Sequence, residues 1–297
     1  MKILLTGSNG MVGSWLSQKL SGSSHQTLAT GRSDCRLDSS LFHANFQYQQ
    51  LDITNSDEVH HQIQQFQPNL IIHGAAMTQV DDCEQNKSLT YSINVTGTNH
   101  LLSAAEEVNA RFLYLSTDFV FSGNSGPYSE ADTTEPVNYY GQTKELAEQL
   151  VTESRLSTCI IRTILLFGKS TNITRSNFIY WVKDNLEAGK PIKVVNDQIR
   201  TPTYILDLVK GIMLAVEKGA VGIYHVSGKE IFTPYAMAME VANHLKLNTN
   251  LITPVDASTF TQIGKRPQKT GFHIEKAEKI LGFSPTEFKS ALSQIFE

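Results

Sequence analysis

A doubly wound α/β fold, one parallel sheet with a smaller α/β C-terminal lobe, is what this 297-residue sequence predicts. Three observations carry the expectation. Short apolar runs alternate with longer stretches of helical spacing through the first half. Those runs are apolar throughout instead of alternating, as strands covered on both faces are. A glycine-rich turn joins the first run to the first helix.

The run at 2–6 reads as the first strand and 11–20 as the helix after it. Further strands are expected at 27–30, 70–73, 111–115 and 158–162, with helices over 56–66, 89–108 and 139–152. After about residue 168 the regularity loosens. A helix over 177–188, a strand over 192–195 and a helix over 204–216 follow, the last with Tyr204, Leu208, Ile212 and Val216 on one apolar stripe. A strand over 221–226 and short helices over 275–281 and 286–295 complete the chain. The expected division is a nucleotide-binding domain over 1–168, to which 197–226 returns, and a substrate lobe made of 169–196 and 227–297. A cleft between them would hold the substrate.

Composition narrows the function classes. With 40% apolar and 18% charged residues the chain can bury a sizeable core, and a net charge of −4 without a basic block argues against a nucleic-acid partner. Three scattered cysteines, Cys35, Cys83 and Cys159, read as reduced thiols of a cytoplasmic protein. The glycine turn begins at Gly7, too early for a secretory leader ahead of it, and no apolar run reaches the ~20 residues of a membrane span. The nine histidines show no metal-ligand spacing, and adjacent His60 and His61 point to different helix faces, so no metal is expected.

Two motifs carry chemistry. Gly7, Gly10 and Gly13 follow a strand and open a helix, the context of a Rossmann-type dinucleotide loop. Gly7 permits the turn, Gly10 lets backbone approach a pyrophosphate, and Gly13 allows close helix–strand packing. The helix N-terminus, with Asn9, Met11 and Val12 around it, then faces phosphate charge. The second strand ends in Arg32 and Ser33 instead of an acid, which suits a 2′-phosphate and favours NADPH; Asp34 nearby leaves NADH possible. The second motif is Tyr140-Gly-Gln-Thr-Lys144, where a phenol and an ammonium share a helix face four residues apart. An ammonium beside a phenol lowers its pKa and makes it a usable proton donor. Only one of the ten tyrosines, Tyr140, has a lysine at that spacing.

The three-residue spacing of the first glycines, the Tyr/Lys pair and Leu115-Ser116-Thr117-Asp118-Phe119-Val120-Phe121 resemble the extended branch of the short-chain dehydrogenase/reductases. The segments from His73 to Glu84 and from Ser116 to Gly123, then Asp197-Gln198, Pro202-Thr203 and Arg266-Pro267, resemble dTDP-4-dehydrorhamnose reductases in order along the whole chain. The resemblance implies an NAD(P)H-dependent reductase of a 4-keto-6-deoxy nucleotide-sugar, a monomer or homodimer. It implies Thr117, Tyr140 and Lys144 as catalytic residues, with Lys144 also on the nicotinamide ribose. Ala75, Ala76 and Thr78 would line the cofactor, as would Asp52 and Ile53 after the third strand, where Asp52 could equally cap a helix. Val80, Asp118 and Arg266 would meet the substrate, Arg266 at its diphosphate, though Asp118 could instead cap a loop and Arg266 could instead form a surface salt bridge. Asn94 matches an asparagine of a proton relay, or kinks its helix. The sequence departs from the reductase pattern at Leu165, Arg200, Lys269, Thr270 and Phe272, which leaves the sugar open.

Two other readings fit the same motifs. An epimerase or dehydratase of the extended branch would recycle bound NAD; Arg32 and the lack of a second acid after Thr117-Asp118 speak against it. The regulatory β subunit of methionine adenosyltransferase is similar and keeps the Tyr/Lys pair, but replaces the Thr78-x-Val80-Asp81-x-x-Glu84 segment that is intact here.

Overall fold

The computed structural model describes residues 1–169 and 177–297; the stretch 170–176 of the expected lobe lies outside the described residues. The first half runs β1 (Lys2–Thr6), α1 (Met11–Ser21), β2 (Gln26–Gly31), β3 (Phe46–Gln50), α2 (Ser56–Phe66), β4 (Leu70–His73), α3 (Val80–Gln85), α4 (Lys87–Tyr91), α5 (Gly97–Glu107), β5 (Arg111–Thr117), α6 (Tyr139–Glu153) and β6 (Thr158–Thr163). Then follow β7 (Leu166–Phe167), α7 (Phe178–Glu187), β8 (Ile192–Val195), β9 (Thr203–Tyr204), α8 (Ile205–Glu217), β10 (Gly222–His225), α9 (Pro234–His244), β11 (Ile252–Val255) and α10 (Phe288–Phe296).

Seven parallel strands form one sheet in the order β10-β6-β5-β4-β1-β2-β3. Side chains alternate between its faces. Ile3 and Leu5 join the core under α1 and α8, whereas Leu4, Ile71 and Phe112 join the core under α2, α5 and α6. Both faces are buried, which is why the strands read as unbroken apolar runs. The chain enters at β1, winds out to β3, and returns to start the other half at β4. The direction of winding therefore reverses between β1 and β4, whose last residues, Thr6 and His73, pair in register. In such sheets a crevice opens beyond the strand ends at this reversal, and ligands bind there.

Two expected elements differ. β3 was absent from the apolar runs because it is an edge strand, with Phe46 buried and Gln47, Gln49 and Gln50 exposed. The helix expected over 89–108 is interrupted by a π turn at Ser92–Thr96, centred on Asn94.

Beyond β6 the chain crosses to a second core. β8 and β11 pair in parallel, and Phe167, Val182, Val194, Met237, Val241 and Leu292 pack between them and α7, α9 and α10. Helix α9 starts as its sequence requires, with Thr233 accepting the Ala236 N–H and proline in the first turn. Among the described residues no helix is long and apolar enough to cross a membrane.

Candidate active site

The β1–α1 turn has the geometry its glycines demand. Gly7 sits at φ +75°, and a Cβ there would lie 2.7 Å from the Ala75 nitrogen. A Cβ on Gly13 would collide with the Gly7 carbonyl. Gly10 caps α1 with no side chain, so the first-turn N–H groups, from Met11, Val12 and Gly13, are presented to an anion. A cleft of about 480 Å³ opens here, bounded by Gly7, Asn9, Gly10, Arg32, Asp52 and Ile53 on one side and by Ala75, Ala76, Met77 and Thr78 on the other. Bare backbone, a helix N-terminus and a cation at the rim are the donor set a dinucleotide phosphate fits. A second groove of about 520 Å³, between α1 and α8, holds none of the expected site residues.

Arg32 is exposed at the cleft's edge, its carbonyl held by Gln50 Nε2 at 2.7 Å. Asn9 holds this rim together: its amide nitrogen donates to the Asp34 carbonyl at 3.0 Å, and its Oδ1 accepts the Arg36 N–H at 2.9 Å. Asn9 therefore fixes the loop that carries Arg32 and Ser33, while the Ser33 carbonyl accepts from the Tyr48 hydroxyl. Asp52 lies on the cleft wall, and its Oδ1 accepts from Thr54 N and Oγ1, at 2.9 and 2.8 Å; it does not cap the helix, because Asn55 caps α2 by accepting from the Asp57 and Glu58 N–H groups. Ile53 is buried against Gly97.

A chain of hydrogen bonds behind the cleft ties its walls together. His73 Nδ1 meets Thr6 Oγ1 at 2.7 Å, and its Nε2 meets Thr98 Oγ1 at 3.0 Å. Thr98 donates to the Asn94 carbonyl, so His73 carries its proton on Nε2 and accepts at Nδ1. Burial, and after it the Lys144 charge, pulls the His73 pKa down to about 3, so the ring is a neutral connector. Asn94 itself clamps Met77: Oδ1 accepts the Met77 N–H at 2.8 Å and Nδ2 donates to its carbonyl at 3.0 Å.

Tyr140, Lys144 and Thr117 come together at the C-terminal end of β5. Tyr140 lies in the first turn of α6, buried against Val80, Cys83 and the edge of Phe119, with the Thr117 side chain as its polar neighbour. Lys144 is buried one turn on, where Nζ donates to the Leu115 carbonyl at 2.7 Å and lies 4.0 Å from the Tyr114 ring centroid. The expectation that Lys144 lowers the Tyr140 pKa does not hold in this state. Burial pushes the phenol well above its usual value, and the neighbouring Thr117 hydroxyl offsets only part of that. Burial also pulls Lys144 down to about 7, because the ammonium has lost its water, and the Glu148 charge opposes this only in part.

Asp118 is buried. It accepts from Thr117 Oγ1 at 3.2 Å and from Thr270 Oγ1 at 2.5 Å, with Arg200 Nε 3.9 Å away. Burial raises its pKa, opposed by the Arg200 charge. Arg200 spends its terminal nitrogens on the carbonyls of Ile199, Pro267 and Gln268. Arg200 and Thr270, two departures noted in the sequence, thus meet on one carboxylate beside Thr117. Arg266 does not stand open for a ligand on every side. It pairs end-on with Asp81, whose pKa is held down to about 2 by hydrogen bonds from Arg266 first and the Gly264 N–H second. Asn138 was missed by sequence reasoning, although a position just before a helix marks an N-cap. Its Oδ1 caps α6 at the Gly141 N–H and its Nδ2 holds the Lys265 carbonyl at 2.7 Å. Among the described residues no three His, Cys, Asp or Glu side chains gather as a metal site needs.

The model of the RmlD substrate binding domain family matches residues 1–297. A dTDP-4-dehydrorhamnose reductase of Aggregatibacter actinomycetemcomitans is 31% identical over 99% of this chain and 98% of its own. Methionine adenosyltransferase 2 subunit beta of Mus musculus is 27% identical over 99% of this chain and 86% of its own. A crystal structure of a dTDP-4-dehydrorhamnose reductase from Clostridium acetobutylicum superimposes with a TM-score of 0.88 at 30% identity, covering 99% of this chain and 98% of that one. The Bacillus anthracis dTDP-4-dehydrorhamnose reductase, solved in complex with NADP, gives 0.84 at 29% identity over 99% and 98%.

Proposed function

From the premise that this chain belongs to the RmlD substrate binding domain family over its full length, we propose that it reduces the 4-keto group of a nucleotide-linked 6-deoxy sugar with NADPH, as a dTDP-4-dehydrorhamnose reductase does. The observation that carries the reading is the convergence of Tyr140, Lys144 one turn on, and Thr117 at the end of β5, beside the dinucleotide cleft. The match to reductases across the whole chain and the NADP in a related structure support the cofactor and the reaction class.

Gly7, Gly10, Met11, Val12 and Gly13 would take the pyrophosphate, Arg32 and Ser33 the 2′-phosphate, and Ala75, Ala76 and Thr78 the opposite face. NADPH supplies a hydride when bound there. Thr117 and Tyr140 then act on the carbonyl oxygen. Thr117, whose single proton goes to Asp118 Oδ1 here, would turn it to that oxygen where negative charge develops, and Tyr140 would pass its phenolic proton to the same oxygen. A phenol with a raised pKa is a weak acid, so a charged Lys144 is needed to stabilise the phenolate it leaves. Nζ has two N–H bonds beyond the one given to Leu115, and a ribose hydroxyl accepting one would favour the ammonium form. Val80, Asp118 and Arg266 would bound the substrate.

The same reading assigns 1–168 with 197–226 to cofactor binding and 169–196 with 227–297 to substrate. It also places the protein in the cytoplasm, as a monomer or homodimer, with its cysteines reduced. Its test is NADPH oxidation with dTDP-4-dehydrorhamnose and the wild-type chain. Turnover with product reduced at C4 supports it. NADPH binding without turnover of any 4-keto nucleotide-sugar would move the regulatory-subunit reading ahead.

A further inference from the structure

Helix α3 carries two carboxylates one turn apart, and each holds a different part of the candidate site. Asp81 accepts from both terminal nitrogens of Arg266, Nη2 to Oδ2 at 2.9 Å, and from the Gly264 N–H at 3.0 Å. Glu84 accepts the N–H of Tyr139, the residue before Tyr140, at 2.7 Å. Gly264 packs so closely on Val80 that a Cβ there would lie 2.6 Å from Val80 Cγ1, and Val80 in turn packs on Tyr140. This short helix is thus the brace between the 264–266 segment and the start of α6.

The guanidinium of Arg266 is only partly spent. Its terminal nitrogens face Asp81 end-on, and Nη1 also donates to the Gly264 carbonyl, but Nε and the second N–H of Nη2 have no acceptor among the described residues. The side chain as a whole is 21% exposed. That side-on edge presents two parallel donors, the geometry that matches two phosphate oxygens.

We propose that Asp81 is a positioning residue for the substrate: it fixes Arg266 so that the Nε–Nη2 edge is presented to the diphosphate of the nucleotide-sugar. The inference rests on the assignment of Arg266 to that diphosphate and adds the residue that orients it. An arginine ordered in advance loses less freedom when the ligand arrives. Against this, the Asp81 carboxylate repels an anion. If Asp81 merely occupied the phosphate's place, removing it would strengthen binding. The two accounts therefore predict opposite signs.

The experiment is calorimetric titration of dTDP into the full chain with NADPH bound, for wild type, Asp81→Ala, Asp81→Asn and Arg266→Ala. Arg266→Ala should weaken dTDP by about tenfold or more, on the order of one lost charge-assisted contact. Asp81→Ala should weaken it by about tenfold, from lost preorganisation. Asp81→Asn should weaken it only about twofold to fivefold, since the amide oxygen still accepts one Arg266 N–H. NADPH affinity should stay at the wild-type level, and KM for the keto sugar should rise more than kcat falls. A purely structural Asp81 would instead lower NADPH affinity, kcat and melting temperature together. Unchanged or tighter dTDP binding by either Asp81 variant overturns the proposal, and Asp81→Asn decides it if the alanine variant does not fold. Loss in Arg266→Ala without loss in Asp81→Ala refutes Asp81's role alone. No loss in Arg266→Ala refutes the diphosphate assignment beneath it.

Discussion

Replacing Lys144 with methionine should stabilise the cofactor-free protein while impairing what the lysine is there to do. Lys144 is 3% exposed and its pKa is pulled from 10.5 to about 7 by burial. At neutral pH that depression corresponds to at most about 5 kcal/mol of stability forgone, since each tenfold change in a protonation equilibrium is worth ~1.4 kcal/mol. Methionine keeps the length and apolar stem but loses the 2.7 Å bond to the Leu115 carbonyl and the cation over the Tyr114 ring. Those losses cost about 1–3 kcal/mol together, leaving a net gain of at most roughly 2–4 kcal/mol and a rise in melting temperature of up to about 3–6 °C.

The sign with pH follows from which state binds the proton. Between pH 7 and 10.5 the unfolded chain holds Lys144 protonated while the folded chain releases it, so wild-type stability rises with pH through that window. The advantage of Lys144→Met should be largest at or below neutrality and fade towards pH 10.5. Thermal melts of both proteins without cofactor, at about pH 7 and near pH 10, measure it, with NADPH fluorescence titration as the functional counterpart. A variant less stable than wild type by the same amount at both pH values would refute the reasoning. Weaker NADPH binding is expected alongside the gain, the usual opposition between an active-site charge and the stability of its fold.

Arg32→Ala should weaken NADPH binding about tenfold to a hundredfold, the loss of one charge-assisted contact of about 1.5–3 kcal/mol, and leave NADH nearly unchanged. Arg32→Glu should invert the preference, and equal wild-type affinities for the two cofactors would contradict the role given to this residue. Asn94→Leu keeps the branched shape and heavy-atom count, though it is bulkier, and strips the Met77 N–H and carbonyl of their partner. A loss of about 2–4 kcal/mol in chemical denaturation is expected for two half-buried backbone groups, with weaker NADPH binding because Met77 lines the cleft. Full stability in that variant would mean that the clamp contributes nothing.

What the sequence revealed follows the physics of each element. Leu70–His73 is legible because a central parallel strand is buried on both faces and must be apolar throughout. The same logic hides Phe46–Gln50, an edge strand whose glutamines face solvent. Gly7 and Gly13 are legible because no side chain fits where backbone meets backbone. Tyr140 and Lys144 share a helix, so their spacing places them on one face, yet the spacing says nothing of burial. Burial is what turned Lys144 towards Leu115 and raised the Tyr140 pKa. Contacts across large separations were out of reach: Asp81 with Arg266 spans 185 residues and Asp118 with Thr270 spans 152. Arg200 looked like a departure from a pattern, and only the folded chain shows it holding Pro267 and Gln268 beside Thr117.

The central claim is that Tyr140 donates the proton in the reduction of a 4-keto nucleotide-sugar. Turnover of dTDP-4-dehydrorhamnose by Tyr140→Phe, with NADPH affinity and melting temperature measured on the same preparation, tests it most directly. The substitution removes a single hydroxyl beside Thr117, so the fold and the cofactor cleft should be retained. General acid catalysis contributes about 10²–10⁴-fold, and kcat should fall by about that factor. Wild-type turnover in a variant that still binds NADPH would contradict the account.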